Sequence, residues 1–502
     1  MAILGFFSKE KGDHPLADSK EAKEALAGLV GSDPTSCLED VRAWIESLIA
    51  AQELRLERRV ELLLQLDETG TPFARRLARD YLTTPLNRSQ EYKLWQVGAG
   101  YWRELGAAYA DCLARAGRDS KGLSSIKGQL ALLHARWLHA EGGLLKWSQF
   151  RYGPPGPEFW GNAGAAYIGA ASLKVVQREL SLYPNWPGET TVEREYLKLL
   201  VFHASAMDKL LPLEVELAER LIAHFLPLFE FTDQVRPENV YWVDTAKSLP
   251  PSRLIRVPEA APSLRYFSTG KACSAIEVLR GRITQGGSVP SDVPLGGQYP
   301  PEVVAKVLAH LALCCAPTPP ARASDRHRVK SLAAVVHGMA EVRARLQGYD
   351  GSQDGETWVV EDVSLGGMGA QVSLVGNDWL RIGALVALRP EGGDNWLVGV
   401  VRRFGRASQT VGSVGIETLG RTPKAANMEC SGLRSDVVML ETGVEVGGEV
   451  RVLMPPGSWE DFLPVIAAWE GERARLKPEG IYLDGREGLV GRFRVEEREI
   501  EA

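Results

Sequence analysis

From about residue 34 to 226 apolar side chains recur at steps of three and four, whereas beyond residue 330 the step shortens to two. The first spacing lays a stripe on one side of a helix, and the second sends alternate side chains to opposite faces of a strand. In "EYKLWQVGAGYWRELGAAYADCLARAG" the residues Leu94, Val97, Tyr101, Leu105, Ala108 and Cys112 share a face, and Gly117 closes the helix. Similar stripes run through "SCLEDVRAWIESLIAAQELRLERRVELLLQL", which Asp33 or Ser36 caps, and through "GLSSIKGQLALLHARWLHAEGGLLKW" and "EREYLKLLVFHASAMDKLL". They predict several stacked antiparallel helices. No fixed repeat period runs through them, and the set offsets of tetratricopeptide hairpins are missing. The dense aromatic residues Trp95, Tyr101, Trp102, Tyr109, Trp137, Trp147 and Trp160 read as packing between helices, since a base-stacking platform needs basic residues interleaved in a groove.

Residues 227–320 change character. "NVYWVDTAKSLPPSRLIRV" reads as strand, proline-marked turn and strand; helical "GKACSAIEVLRGRI", a Gly/Pro-rich stretch and helical "PEVVAKVLAHLALCCA" follow. After residue 330, "SLAAVVHGMAEVRARLQ", "ETWVVEDVS", "GAQVSL", "ALVALRP", "WLVGVVRRF" and "SVGIETL" form short β-runs separated by glycine-containing turns, the spacing of an antiparallel barrel. "DVVMLE", "GEVRVLMP", "RARLKPEGIYLDG" and "GLVGRFRVEE" continue in that vein, with the Asp484-Gly485 pair suited to a tight hairpin. The fold class is multidomain, α then β: a flexible N-terminus (1–33), a helical domain (34–226), an α+β connecting region (227–320), a barrel (321–424) and a β-rich C-terminal domain (425–502).

Composition changes this picture little. A chain of 502 residues exceeds one core, and 45% hydrophobic with 24% charged residues is ordinary for a globular protein. The net charge of −6 gives no general attraction to DNA or RNA, so any anion must be met by a local basic cluster. Cys37, Cys112, Cys273, Cys314, Cys315 and Cys430 are scattered without a CxxC, which points to reduced thiols in a cytoplasmic protein rather than a disulfide framework or zinc site. "MAILGFF" is too short for a signal-peptide core and has its lysines on the wrong side; it reads as a loose tail or a weak tether. No stretch approaches the roughly 20 apolar residues of a membrane span.

Candidate chemistry sits in "VEDVSLGGMG". Asp362 and Ser364, two apart in a strand, leave the same face, and burying both in a barrel interior would cost a few kcal/mol unless they are paired. A face that receives a polar ligand removes that difficulty. Gly366, Gly367 and Gly369 permit positive φ and bring the backbone close to whatever lies there, with Gly366 and Gly369 assigned to turn geometry. Upstream, "PPARASDRHRVK" concentrates Arg322, Arg326, Arg328 and Lys330 around one acid, Asp325. Its prolines stop the preceding helix, leaving an arm able to close over an anion. Guanidinium groups grip phosphate bidentately, take the O6/N7 edge of guanine in the same geometry, and stack on bases. Arg326 and Lys330 repeat the spacing of Arg322 and Arg326, so the register of the arm stays open.

An R-x-x-x-R element followed by Asp362-x-Ser364-x-x-Gly367 at the start of a β-barrel resembles the PilZ domain, the bacterial receptor module for cyclic di-GMP. The resemblance covers about residues 320 to 420 and implies a six-stranded antiparallel barrel with cyclic di-GMP as ligand. It implies that Arg322 and Arg326, with Arg328 beside them, grip phosphates and guanine edges. Asp362 would accept guanine N–H groups, Ser364 would hydrogen-bond to the ligand, and Gly367 would permit the turn. "RLQGYDGSQDGE" is a loop longer than a compact member needs. Arg402, Arg403 and Arg406 either add phosphate contacts or mark a solvated hairpin end.

Catalysis and metal binding find no motif: there is no G-x-S-x-G and no H-E-x-x-H, and His134 and His139, five apart, lie on different helix faces. The expectation is a non-enzymatic, cytoplasmic cyclic di-GMP effector whose helical region relays the signal to a protein partner, with motility, adhesion or exopolysaccharide control as outputs. Ligand would order the arginine arm. The competing expectation is an interaction scaffold or chaperone-like adaptor with a ligand-free barrel.

Overall fold

The computed structural model describes residues 24, 26–28, 33–118, 120–318, 325–349, 355–430, 432–443, 445–459 and 463–500. Arg322, most of the expected N-terminal tail and the centre of the loop before residue 355 lie outside the described residues. The chain falls into two compact units, one holding most of the helices and a small sheet, the other holding two barrels and a short helix.

The first unit contains α1 (Pro34–Ala50), α2 (Leu56–Thr83), α3 (Arg88–Ala116), α4 (Ser120–Ser125), α5 (Leu130–Phe150), α6 (Phe159–Ser172), α7 (Val192–Ala204) and α8 (Pro212–Phe225). Asp33 rather than Ser36 caps α1, accepting the backbone N–H groups of Thr35 and Ser36 at 3.0 and 3.1 Å. The α3 stripe is buried as its spacing predicts, from Val97 through Tyr101, Leu105 and Ala108 to Cys112, with Leu94 only half-buried at the end.

Burial here includes charge, and the largest buried set is matched within itself. Asp67 is fully buried on α2 and accepts the Tyr183 hydroxyl at 2.9 Å, the Thr71 hydroxyl at 3.0 Å and the Tyr109 hydroxyl. Arg136 of α5 lies 3.4 Å from the same carboxylate and donates to Glu68 at 2.7 Å. Removing one partner from such a set strands a buried charge, which costs about 3–5 kcal/mol. The unit ends in a four-stranded antiparallel sheet of order β1 (Glu230–Thr232), β4 (Leu264–Ser268), β2 (Asn239–Asp244), β3 (Ser252–Arg253), followed by α9 (Gly270–Thr284) and α10 (Pro301–Cys315).

In the second unit, β5 (His327–His337), β6 (Glu356–Ser364), β7 (Gly367–Ser373), β8 (Leu385–Pro390), β9 (Leu397–Arg406) and β10 (Val411–Gly420) close into a six-stranded antiparallel barrel. Alternate residues fill it: Ala333 and Val335, Trp358 and Val360, Met368, Ala370 and Val372, Phe404, Val414 and Ile416 are buried. One expected β-run is corrected. "SLAAVVHGMAEVRARLQ" is strand only to His337; Gly338 turns with φ +77°, and Met339–Leu346 forms the helix α11.

The β-rich C-terminal region is a second closed six-stranded barrel, made of β11 (Lys424–Cys430), β12 (Leu433–Met439), β13 (Glu449–Met454), β14 (Val465–Trp469), β15 (Glu472–Asp484) and β16 (Leu489–Ile500). Its pairing repeats that of β5–β10 strand for strand: in each barrel the third strand pairs the sixth, and the fourth closes on the first. The expected hairpin at Asp484-Gly485 joins β15 to β16 by a four-residue loop, 485–488, rather than a two-residue turn, and is closed by Gly485 N–H to Gly488 O at 3.1 Å. The two barrels share one apolar cluster, with Val336, Val342, Leu385, Ala387, Val398, Val400 and Leu419 against Val438, Leu440, Leu453 and Val490. Each large aliphatic side chain buried there contributes about 1.5–3 kcal/mol, so separating the barrels is costly.

Candidate functional site

Asp362 and Ser364 do leave β6 on the same side, and that side is the outer wall of the first barrel. Asp362 pairs with Gly369 of β7, and Ser364 with Gly367, across a hairpin whose turn is Leu365-Gly366. The inward positions on either side of Gly369, Met368 and Ala370, are buried. The desolvation cost anticipated for an interior carboxylate therefore does not arise.

The arginine arm arrives beside this wall. Arg326 donates through one terminal nitrogen to both Asp362 oxygens, at 3.0 and 3.2 Å, with the arginine 41% and the aspartate 26% exposed. Arg328 is exposed and sits directly opposite Asp362 in the β5–β6 register. Of the candidates for the arm, Arg326 and Arg328 thus converge on Asp362; Lys330 falls in the irregular stretch between Arg328 and Ser331, and Arg322 lies outside the described residues.

The Ser364 hydroxyl donates to the Gly367 carbonyl at 3.1 Å and fastens the hairpin, leaving its oxygen lone pairs to accept. The Leu365 carbonyl accepts from Arg421, and the Gly366 carbonyl accepts the Thr418 N–H at 3.0 Å, so the turn is tied to residues after β10 and within it.

The glycines act through space rather than through φ. None of Gly366, Gly367 and Gly369 lies in the left-handed region, which corrects the conformational expectation. A Cβ on Gly367 would fall 2.0 Å from the Ile416 carbonyl oxygen, and one on Gly369 would fall 2.8 Å from Asp362 Oδ2. Gly369 is thus the floor beneath the Asp362 carboxylate, a contact role rather than a turn role. Only Gly366 has open space around its missing side chain.

Continuing the register outward shows a glycine pairing that sequence reasoning missed, and where Arg403, named above as a phosphate contact or part of a solvated hairpin end, lies. Gly369 pairs with Gly415 of β10, which pairs with Arg403 of β9, so one row runs Arg328, Asp362, Gly369, Gly415, Arg403. The next row runs Ser364, Gly367, Glu417, and Glu417 accepts from Arg402 at 2.6 Å and from the Tyr482 hydroxyl of the second barrel at 2.7 Å. One extra residue is inserted in each of β5, β6 and β9 beside these rows. Bulges of this kind re-aim side chains and gather next to functional sites. The pairing of Gly369 with Gly415 had no signal in the sequence, because it depends on contacts between strands far apart in the chain.

The site is an arginine-flanked patch on the outer wall of a β-barrel, with a carboxylate and a hydroxyl presented together above glycines that carry no side chain. That equipment suits a polar ligand carrying both anionic groups and hydrogen-bond donors. Among the described residues no cluster of His, Cys, Asp and Glu is placed to hold a metal, and no helix is long and apolar enough to cross a membrane. Residues 20–237 match the model of a family described as the N-terminal domain of the cyclic-di-GMP receptor FimW, so this helical stretch is similar to part of a cyclic di-GMP receptor. The match covers fewer than half of the residues and stops well before the barrels. No curated protein matches the chain.

Proposed function

We infer that this chain is a cyclic di-GMP effector, with the outer wall of the first barrel as its binding site. The observation that carries the reading is the Arg326 guanidinium resting on the Asp362 carboxylate, with Arg328 opposite, on an exposed wall floored by glycine. Asp362 accepts guanine N–H groups, Arg322, Arg326 and Arg328 hold phosphates and the O6/N7 edge, Ser364 accepts from the ligand, and Gly367 keeps the hairpin close to β10. Support from outside the site comes from the receptor family matched over residues 20–237. The first barrel is read as PilZ-like on its six-stranded closure and on the position of the two motifs.

Arg326 is held by Asp362; a bound dinucleotide competes for both groups and draws the arm onto its phosphates. The helical region carries that change to a protein partner in the cytoplasm, controlling motility, adhesion or exopolysaccharide output. The protein acts by binding and performs no chemistry.

Calorimetric titration of the full chain with cyclic di-GMP tests this. Saturable heat is expected from the native protein and none from the Arg326→Ala/Asp362→Ala double variant. Absence of heat from the native protein, with no competition by GMP-type nucleotides, would replace the effector reading with that of a scaffold whose barrel is ligand-free.

A further inference from the structure

Two glycines face each other across β7 and β10 on the outer wall, at Gly369 and Gly415. Paired positions in a sheet carry their side chains about 5 Å apart on the same face. Two glycines in register therefore remove both side chains, and the low stretch of backbone they leave is buried beneath the side chains that flank it. Its two ends are occupied. Asp362 Oδ2 lies 2.8 Å from where the Gly369 Cβ would be, and Arg403 Nε lies 3.4 Å from where the Gly415 Cβ would be. A carboxylate and a guanidinium thus lean in over neighbouring strands from opposite sides.

The position of Arg403 follows from an irregularity in β9. In a regular strand, consecutive residues point to opposite faces, so one of Arg402 and Arg403 would enter the barrel. Here Val401 pairs with Ile416 and Arg403 with Gly415, which leaves Arg402 as the extra residue of a bulge. Both arginines end up outside. Arg402 is committed to Glu417 at 2.6 Å, while Arg403, 43% exposed, lies over Gly415 with its Nε 3.8 Å from Asp208 Oδ2, a longer and partly exposed ion pair that a phosphate can replace.

We propose that Arg403 is a further ligand-binding residue, a guanidinium set across the Gly369–Gly415 pair from the Arg326–Asp362 pair, so that a flat, phosphate-bearing purine ligand is held between the two. A planar base can lie close to a strand wall where paired residues contribute no side chain of their own. A donor at one end of that surface then takes a phosphate or stacks on the ring, while the carboxylate at the other takes N–H groups. Neither family motif includes Arg403 or Gly415. The inference rests on the cyclic di-GMP reading of the same site, and it adds a second wall to it.

The test is calorimetric titration of the full chain with cyclic di-GMP at two salt concentrations, comparing native protein, Arg403→Ala, Arg403→Lys and Asp362→Ala. Arg403→Ala is expected to weaken binding roughly ten- to a hundredfold, as for loss of a charge-assisted contact, with an unchanged thermal melt. Arg403→Lys, which keeps charge but not the fork, should recover part of the loss, and the salt dependence of affinity should be shallower for Arg403→Ala. Affinity within twofold of native for Arg403→Ala, alongside abolished binding for Asp362→Ala, would overturn the role of Arg403 and leave the reading of the site standing. Failure of the native protein to bind would instead remove that reading, and this inference with it.

Discussion

Replacing Gly369 with alanine adds one methyl group and removes no charge, yet it should disable the site. The new Cβ would sit 2.8 Å from Asp362 Oδ2 and 3.1 Å from its Cγ, where ordinary contacts begin near 3.4 Å. The carboxylate must retreat by about half an ångström or more. A retreat away from Arg326 lengthens its bonds, now at 3.0 and 3.2 Å, to the limit at which a hydrogen bond survives. The pair is partly exposed, so its loss costs folding only about 0.2–1 kcal/mol, and alanine offsets part of this by restricting the unfolded chain. Ligand binding loses more: a misplaced carboxylate forfeits a charge-assisted hydrogen bond worth about 1.5–3 kcal/mol, or roughly ten- to a hundredfold in affinity. Gly366→Ala is the internal control, since open space surrounds that position and its φ is ordinary. Titration of both variants with cyclic di-GMP, beside their thermal melts, should give a large affinity loss for Gly369→Ala alone at nearly native stability. Equal affinities for the two variants would refute the claim that Gly369 exists to seat Asp362.

Three further expectations concern the scaffold. Glu141 is buried, with Trp137 Nε1 donating to its Oε1 at 3.1 Å and no partner among the described residues at Oε2; burial pushes its carboxyl up to about 7. Because the folded value lies above the unfolded one, the stability this group confers is complete below about pH 4.5 and lost as pH rises through 7. Glu141→Gln should therefore raise stability by up to about 3 kcal/mol at pH 8.5 and leave it nearly unchanged at pH 4.5; denaturation at both pH values giving equal effects would sink the argument. Leu453→Ala, in the cluster shared by the barrels, should cost about 2–5 kcal/mol and lower the melting of both barrels together, whereas separate transitions would show the barrels to be independent. Ser364→Ala removes the hydroxyl that closes the β6–β7 hairpin and should cost about 1 kcal/mol on denaturant titration; no change would mean that the backbone pairing alone holds the turn.

The parts of this molecule that depend on local spacing were legible in the sequence, and the parts that depend on register were not. The α3 stripe and the β6 alternation are readable because each is a property of one element. Strands β11 and β14 went unrecognised: "KAANMEC" and "VIAAW" place alanines where β-branched residues usually advertise a strand, and without them the second barrel could not be closed on paper. The shared outward face of Asp362 and Ser364 follows from strand period, and the structure keeps it. The Gly369–Gly415 pair depends on how β7 meets β10, and the outward turn of Arg403 depends on a bulge that inverts alternation after Arg402. Neither is encoded in spacing. Gly369 was misassigned to turn geometry because its neighbour in space, the Asp362 carboxylate, is seven residues away in the chain.

Hydrogen exchange measured by mass spectrometry on the full chain, with and without cyclic di-GMP, tests most directly whether the outer wall of the first barrel is the receptor surface. Slowed exchange is expected in peptides spanning residues 325–337 and 358–371, and it should vanish in the Arg326→Ala/Asp362→Ala variant. Protection confined to the helices or to the second barrel, or no protection at saturating ligand, would contradict the account.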